Sequence, residues 1–187
     1  MKKMQLLVVI MLTTFLAIGC TSDKKKNNIV VSGNLSADTT LVADTTLYGI
    51  CGEGTAMHTL QLLTDDGRVC TMMKNVDDSV SDIQGGLLVG DRLAVIAAVE
   101  YGDSVVKSVI NLTTLQGKWV SIDRNFEIRE GGVVKSNQET ESNPWTSWKI
   151  CNGRLVLNSD TFRVDELGAD SLYLENKDGI FGFKRMK

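Results

Sequence analysis

Residues that could bind a soft metal ion are concentrated in one part of this 187-residue chain. Thiolate, thioether and imidazole groups together suit Cu(I), because all three are soft ligands. The candidate ligands are Cys51, Met57, His58, Cys70, Met72 and Met73. Methionine on a strand more often fills a core than binds a metal. We therefore take Cys51, His58 and Cys70 as the candidate metal ligands.

Catalytic chemistry has little support in this sequence. It contains one histidine, His58, so a serine or cysteine nucleophile that needs an imidazole base has a single candidate partner. His58 falls in a predicted turn with no obvious nucleophile beside it. The G-x-S-x-G, P-loop, H-E-x-x-H and G-x-G-x-x-G motifs are absent from the sequence. We therefore predict a protein that is not an enzyme and that has no cofactor.

One cysteine, Cys20, ends the first apolar segment. Lys2 and Lys3 precede an apolar run at residues 6–18, and Gly19 follows it. This order is that of a secretory signal, and the run is shorter than the about 20 residues that span a bilayer. Residues 16–20, Leu-Ala-Ile-Gly-Cys, resemble the lipobox of bacterial lipoproteins. The resemblance implies that residues 1–19 are a signal peptide and that Cys20 carries a lipid anchor.

The lipoprotein resemblance also sets expectations about location. Several acyl chains on Cys20 would hold the protein on a membrane, since one chain alone gives only marginal binding. Residues 20–30 are predicted to be a polar tether, with three lysines at 24–26 and only Asp23 as an acid. In some gut and oral Bacteroidetes lipoproteins an acidic run after the cysteine directs export to the cell surface. Its absence predicts an outer-membrane lipoprotein on the periplasmic face.

The other three cysteines, Cys51, Cys70 and Cys151, leave two alternatives open. An oxidising periplasm permits a disulfide, and Cys51 with Cys70 is one possible pair. Free cysteine is also among the most buried residue types, so all three thiols could lie unpaired in a core. Their odd number requires at least one thiol without a partner in the chain.

Alternating apolar residues predict five strands in the first half of the chain. They centre on residues 47–51, 60–62, 69–73, 93–99 and 104–112, with turn signals between them. Residues 76–86 are polar and have room for a helical turn or a loop. This long break, and the entry Val89-Gly90-Asp91-Arg92-Leu93 into the fourth strand, resemble an OB-like small barrel. We assign residues 31–113 to this OB-like domain.

OB-like barrels often bind oligonucleotides or sugars, but two features argue against nucleic acid here. The formal net charge is −3, whereas nucleic-acid binders normally present a basic face. Stacking of bases also needs exposed aromatic side chains, and residues 31–113 offer only Tyr48 and Tyr101. We therefore predict no nucleic-acid partner.

Residues 114–187 are predicted to form a second unit, an antiparallel meander. Turn signals recur about every ten residues, and apolar residues alternate with charged ones between them. The opening Gly117-Lys118-Trp119 and the ending at residues 181–185 resemble the lipocalin-like domain of Bacteroidetes envelope lipoproteins. The resemblance implies a small barrel whose last strand pairs with its first strand near Trp119. A barrel of this size is expected to fill its interior with side chains.

Three tryptophans, Trp119, Trp145 and Trp148, are the candidate ligand or partner residues. The stretch at residues 143–148 contains two of them beside the only proline. In one interpretation the tryptophans close the mouth of a filled barrel. In the other they form an exposed aromatic platform for a sugar or a protein, since tryptophan is enriched in such contacts.

Five hydroxyl residues resemble the acceptors of Bacteroidetes O-glycosylation, in which an aspartate precedes the serine or threonine. Asp-Ser and Asp-Thr also form turns, so the pattern has a purely structural alternative. Two of the candidates precede the first barrel and are predicted to be the most accessible. The candidates are Thr39, Thr45, Ser79, Ser104 and Ser171.

The whole sequence predicts an all-β envelope lipoprotein, with an OB-like small barrel followed by a small lipocalin-like antiparallel meander barrel. Its predicted role is that of a non-catalytic binding or interaction module, held to the membrane through Cys20. The partner is an unknown protein or small molecule. Two alternatives remain: a carrier of a small apolar ligand, which needs a cavity beside the tryptophans, and a copper stress sensor.

Overall fold

The computed structural model describes residues 43–74, 82–137 and 142–186. These residues form two β-barrels, one after the other along the chain. The predicted fold, an OB-like barrel followed by a lipocalin-like meander barrel, is confirmed. Cys20, Thr39 and Ser79, with the predicted signal peptide and tether, lie outside the described residues.

The first barrel contains five strands that close on themselves and one additional short strand. Antiparallel pairs join β1 to β2, β2 to β3, β1 to β5 and β5 to β6, and a parallel pair of β3 with β6 closes the barrel. This is the five-stranded Greek-key arrangement of OB folds. The strands are β1 (Leu47–Cys51), β2 (Thr59–Thr64), β3 (Val69–Lys74), β4 (Asp82–Gln84), β5 (Arg92–Glu100) and β6 (Asp103–Asn111).

Strand β4 differs from the sequence-based expectation of a helical turn or loop at residues 76–86. It pairs in parallel with β6, from Asp82 opposite Ser108 to Gln84 opposite Ile110. The local sequence has no alternation of its own. A distant neighbouring strand therefore determines its conformation, as is common for β structure.

The two barrels share part of their hydrophobic core. Strand β5 buries Leu93, Ala94 and Val95 in succession, which explains its continuous apolar run. Leu93 and Val95 face the first core, whereas Ala94 and its cross-strand partner Ile110 pack into the second. Each barrel thus covers one face of this part of the sheet. Both barrels belong to one compact unit.

A short helix, α1 (Leu112–Leu115), connects the barrels. Its N-cap, Asn111, is fully buried, and its side-chain oxygen accepts a hydrogen bond from the Thr114 N–H at 2.9 Å. The Asn111 amide donates to Asp91 at 2.6 Å and to the Gly85 carbonyl at 3.2 Å. The expected domain boundary between residues 113 and 114 falls inside this helix.

The second barrel is an eight-stranded antiparallel meander. The last strand, β14, pairs with the first, β7, through Arg185 opposite Trp119, which confirms the predicted closure. Among the described residues, β9 pairs with the segment that leads into β10 at one bridge, Val133 with Ser147, so the barrel is nearly closed. A 3-10 helix, Glu130–Gly132, joins β8 to β9. The strands are β7 (Gly117–Val120), β8 (Asn125–Arg129), β9 (Val133–Ser136), β10 (Trp148–Cys151), β11 (Arg154–Leu157), β12 (Asp160–Leu167), β13 (Ser171–Asn176) and β14 (Gly179–Arg185).

The end of the second barrel near α1 contacts the first barrel and the residues just before it through several hydrogen bonds. Gln84 of β4 donates to the Asp165 carbonyl at 3.2 Å and accepts from the Leu167 N–H at 3.0 Å. The Asp44 carboxylate, just before β1, accepts from the Asn152 N–H at 3.0 Å. Asn152 and Gly153, both at positive φ, form the tight turn between β10 and β11 that their sequence predicts.

Candidate functional site

The interior of the second barrel is filled by side chains. Trp119 is fully buried, and its indole N–H donates to the Leu115 carbonyl at 2.9 Å. The Arg185 guanidinium lies 4.2 Å from the centre of the Trp119 ring, a cation–π distance. Trp119 is therefore a core residue at the end of the barrel next to α1.

Trp145 closes the opposite end of the barrel. It is buried, and its ring meets Phe126 edge to face at 5.1 Å and Phe162 at 5.7 Å. The Arg124 guanidinium covers the ring at 3.9 Å. This matches the interpretation in which a tryptophan closes the barrel mouth. Since Trp119 and Trp145 are both buried, neither can belong to an exposed platform, and the prediction of such a surface is wrong for these two residues.

Trp148 has a different environment, in an open cleft between the two barrels. The cleft has a volume of about 540 Å³ and is lined by residues of both barrels and of α1. Small-molecule sites of proteins commonly have about 300–1,000 Å³ and commonly lie between domains. Its aromatic, charged and amide lining residues are Tyr48, Arg92, Gln116, Glu130, Trp148 and Lys149.

Two half-buried aromatic side chains, Tyr48 and Trp148, contribute ring surface to this cleft. The Tyr48 hydroxyl donates to the Ile150 carbonyl at 2.7 Å, which also links β1 of the first barrel to β10 of the second. The Trp148 indole N–H donates to the Arg129 carbonyl at 2.6 Å, across the seam where β9 and β10 barely pair. Burial, with the nearby Asp44 carboxylate, raises the pKa of Tyr48, so the phenol stays protonated as a donor. Both polar atoms are thus already used within the protein.

Charged and polar groups surround the rings. The Arg92 guanidinium binds both oxygens of Asp65 in a bidentate ion pair, which raises the pKa of Arg92 and lowers that of Asp65. The backbone N–H of Arg92 donates to the Thr113 hydroxyl at 2.9 Å and so holds the start of β5 against α1. Lys149 and Glu130 are exposed on the rim. The rim therefore offers both donors and acceptors with little excess of either charge.

The candidate metal ligands are not brought together. Cys51 and Cys70 lie on β1 and β3 with Leu62 of β2 between them in register, and all described cysteines are free. The Cys51 thiol is buried and lies 3.4 Å from the Thr55 hydroxyl, whereas His58 is exposed before β2. Among the described residues, no three His, Cys, Asp or Glu side chains are grouped to hold a metal ion.

The three described O-glycosylation candidates differ in their surroundings. Thr45 is exposed, but its hydroxyl donates to the Asn152 side chain at 3.1 Å. Ser171 donates to Glu166 at 3.0 Å on β13, and Ser104 is exposed on β6. Ser104 is therefore the one of these three whose side chain is exposed and makes no such contact among the described residues.

A second open concavity lies on the side of the second barrel. Strands β14 and β7 pair over only two residues, at Lys184–Val120 and Arg185–Trp119, and diverge beyond them. The divergence leaves a groove of about 560 Å³ with a largely apolar lining. Its lining includes Val120, Ile122, Ile180, Phe181 and Lys184. Lys184 and Asp123 add one charge of each sign to this lining, which is more apolar than that of the cleft between the barrels.

Comparison with protein-family models, curated proteins and solved structures gives no match to this chain. Within the described residues, no helix has the length and apolar character needed to cross a bilayer.

Sequence reasoning identified Trp148 but missed the rest of the cleft. Tyr48 had a weak signal, as one of two aromatic residues within residues 31–113. Arg92, Gln116 and Glu130 had none, because charged and amide side chains are common at turns and strand ends. Only the packing of two barrels brings Tyr48 to the Ile150 carbonyl, 102 residues further along the chain.

Proposed function

We propose that this chain is a non-catalytic binding module of a bacterial envelope lipoprotein, of the kind found in Bacteroidetes, with its binding site in the cleft between the barrels. The observation that carries the proposal is that the second barrel is filled, whereas the cleft is open and presents the Tyr48 and Trp148 rings among polar groups. Concave sites between domains with aromatic walls and a few polar groups are typical binding sites.

A binding role without catalysis fits the side chains of this cleft. The single histidine of the sequence, His58, does not line it. Arg92 is held in an ion pair by Asp65, and Lys149 and Glu130 are exposed to solvent on the rim. General acid–base catalysis usually depends on a side chain whose pKa lies near the operating pH.

The membrane part of the proposal rests on Cys20. We expect acylation of Cys20 after removal of residues 1–19, with the protein on the periplasmic face of the outer membrane. Cys20→Ser should move the protein from the membrane pellet to the soluble fraction, because it removes the acceptor thiol. Cys151→Ser is the control, since it replaces another free cysteine. If the Cys20→Ser protein still pellets with membranes, the lipid anchor is wrong.

Native mass spectrometry of the full-length protein, extracted gently from its own envelope, tests the binding role. We expect a reproducible additional mass that is lost in Trp148→Ala, because the substitution removes one aromatic wall of the cleft. Tyr101→Asn is the matched control: Tyr101 is fully exposed outside the cleft at positive φ, which asparagine tolerates. A bare protein, or a mass that Trp148→Ala leaves unchanged, would contradict binding in the cleft.

The groove between β14 and β7 favours a second candidate function, a carrier of a small apolar ligand. Its support is the largely apolar lining, with Ile122 and Ile180 exposed. A bound apolar molecule would cover these side chains and stabilise the protein. In this case the additional mass should be lost in Ile180→Ser and kept in Trp148→Ala, the opposite of the pattern expected for the cleft.

A further inference from the structure

We infer that the ligand of the cleft between the barrels is an uncharged saccharide. This inference rests on the proposed function, because it names the ligand class of the same site. A sugar ring presents flat faces of C–H groups and an edge of hydroxyl groups that both donate and accept hydrogen bonds. The cleft matches each of these features.

The aromatic walls offer ring surface rather than free polar atoms. The Tyr48 hydroxyl and the Trp148 indole N–H are both engaged with backbone carbonyls of the protein, at 2.7 and 2.6 Å. What these side chains can still offer a ligand is their π surface, whose negative potential attracts weakly positive C–H groups. The same two hydrogen bonds fix the orientation of the rings, so a ligand would not have to order them.

The polar groups around the rings are planar, and they include both hydrogen-bond donors and hydrogen-bond acceptors. Arg92 supplies donors, Glu130 supplies acceptors, and the Gln116 amide supplies both. Neither Gln116 nor Glu130 makes a side-chain hydrogen bond to another described residue. A ligand with several hydroxyl groups can satisfy them, whereas a purely apolar ligand would remove them from water without replacement partners.

The charges of the cleft do not select an ion. The positive charge of Arg92 is offset by its bidentate partner Asp65 and by the nearby Glu130, and Lys149 lies near the Asp44 carboxylate. An anionic ligand would have to compete with Asp65 for the guanidinium. The cleft therefore favours a neutral polar ligand, and its open side leaves room for a longer chain of rings to continue into solvent.

Ligand-observed saturation-transfer NMR on the full-length protein tests this inference. The probes are maltose, cellobiose and N,N′-diacetylchitobiose as neutral sugars, sialyllactose as an acidic sugar, and trialanine as a peptide. The detergent must carry no sugar head group. We expect saturation transfer to ring C–H protons of a neutral disaccharide, reduced at least tenfold by Trp148→Ala and unchanged by Tyr101→Asn. Glu130→Gln and Gln116→Ala should weaken binding without abolishing it.

Two outcomes would overturn the inference. A Trp148-dependent signal from sialyllactose or trialanine alone would show that the ligand class is wrong, while binding in the cleft would stand. No Trp148-dependent signal from any probe would also reject the saccharide. In that case the proposed function is judged separately, by whether native mass spectrometry finds an additional mass that depends on Trp148.

Discussion

At the scale of single residues, the three tryptophans show that one residue type has two roles in the same barrel. Trp119 and Trp145 are buried and held by Arg185 and Arg124 over their rings, so they stabilise the core. Trp148 uses its N–H to bridge a seam that strand pairing leaves open and keeps part of its ring exposed. The three tryptophans differ in the partners of their indole N–H groups and in the exposure of their rings. These differences distinguish the two core residues from the residue of the candidate site.

The ion pair between Asp65 and Arg92 predicts a contribution to stability that depends on pH. The Arg92 guanidinium holds the pKa of Asp65 below its usual range, so this ion pair contributes stability above the unfolded-state pKa, near about 4. As the pH falls through the lower folded-state pKa, the contribution disappears. Because both side chains are about half exposed, we expect Asp65→Asn to cost only about 0.5 kcal/mol at pH 7.

Urea unfolding at several pH values measures this difference between wild type and Asp65→Asn. The difference should shrink towards zero as the pH is lowered below about 4. Asp178→Asn is the control, since Asp178 lies in a turn and makes no ion pair with another described residue. A difference that stays constant down to acid pH would mean that the ion pair does not stabilise the fold.

At the scale of elements, the turn between β10 and β11 connects the two barrels. Gly153 has a φ of 72°, and a Cβ atom there would lie 3.2 Å from Ile96 and 3.2 Å from Ser108 of the first barrel. The turn therefore needs glycine for two reasons, its left-handed backbone and its close approach to the neighbouring barrel. The Asn-Gly sequence signals only the first of these.

A comparison of Gly153→Ala with Gly67→Ala distinguishes the cost of the left-handed backbone from the cost of the close approach to the first barrel. Gly67 has a φ of 83°, and a Cβ there would meet no atom within 4 Å, so alanine should cost only the backbone strain of about 1 kcal/mol. Gly153→Ala should cost more, because the barrels must also move apart or Ser108 must turn. The free energy of unfolding in urea measures both. Equal costs would mean that the contact between the barrels adapts freely.

At the scale of the whole molecule, the barrels are joined by a continuous apolar cluster. Ala94 and Ile110 of the first barrel pack with Leu115 and the residues inside the second. The Gln84 side chain adds two hydrogen bonds to β12. A ligand site between the barrels needs this rigid connection, since its two aromatic walls come from different barrels.

The shared cluster predicts that both barrels unfold together. Far-UV circular dichroism reports on both barrels, whereas tryptophan fluorescence reports on the second alone, because all three tryptophans lie there. The two transitions in urea should coincide, as for a cooperative unit. Gln84→Ala should lower both midpoints by the same amount. Separate midpoints for the two probes would show that each barrel unfolds independently.

Local sequence was sufficient to predict most strands and turns of both barrels. Period-two alternation places apolar side chains on one face of a strand, and Asn-Gly or Asp-Gly sequences permit the positive φ that tight turns require. These are properties of near neighbours in the chain, so they can be read without the fold. Strand β4 had no such signal, since its conformation comes from pairing with β6.

Two all-β units, their turns and the closure of the second barrel at Trp119 could be predicted from the amino-acid sequence. Which tryptophan remains accessible, and where a ligand could bind, depended on the packing of the two barrels. The cleft is formed by the second barrel lying on β5 and α1, so Tyr48 and Trp148 line the same cleft although they are distant along the chain. Contacts of this kind depend on how whole surfaces pack, and no spacing of residues along the chain encodes them locally.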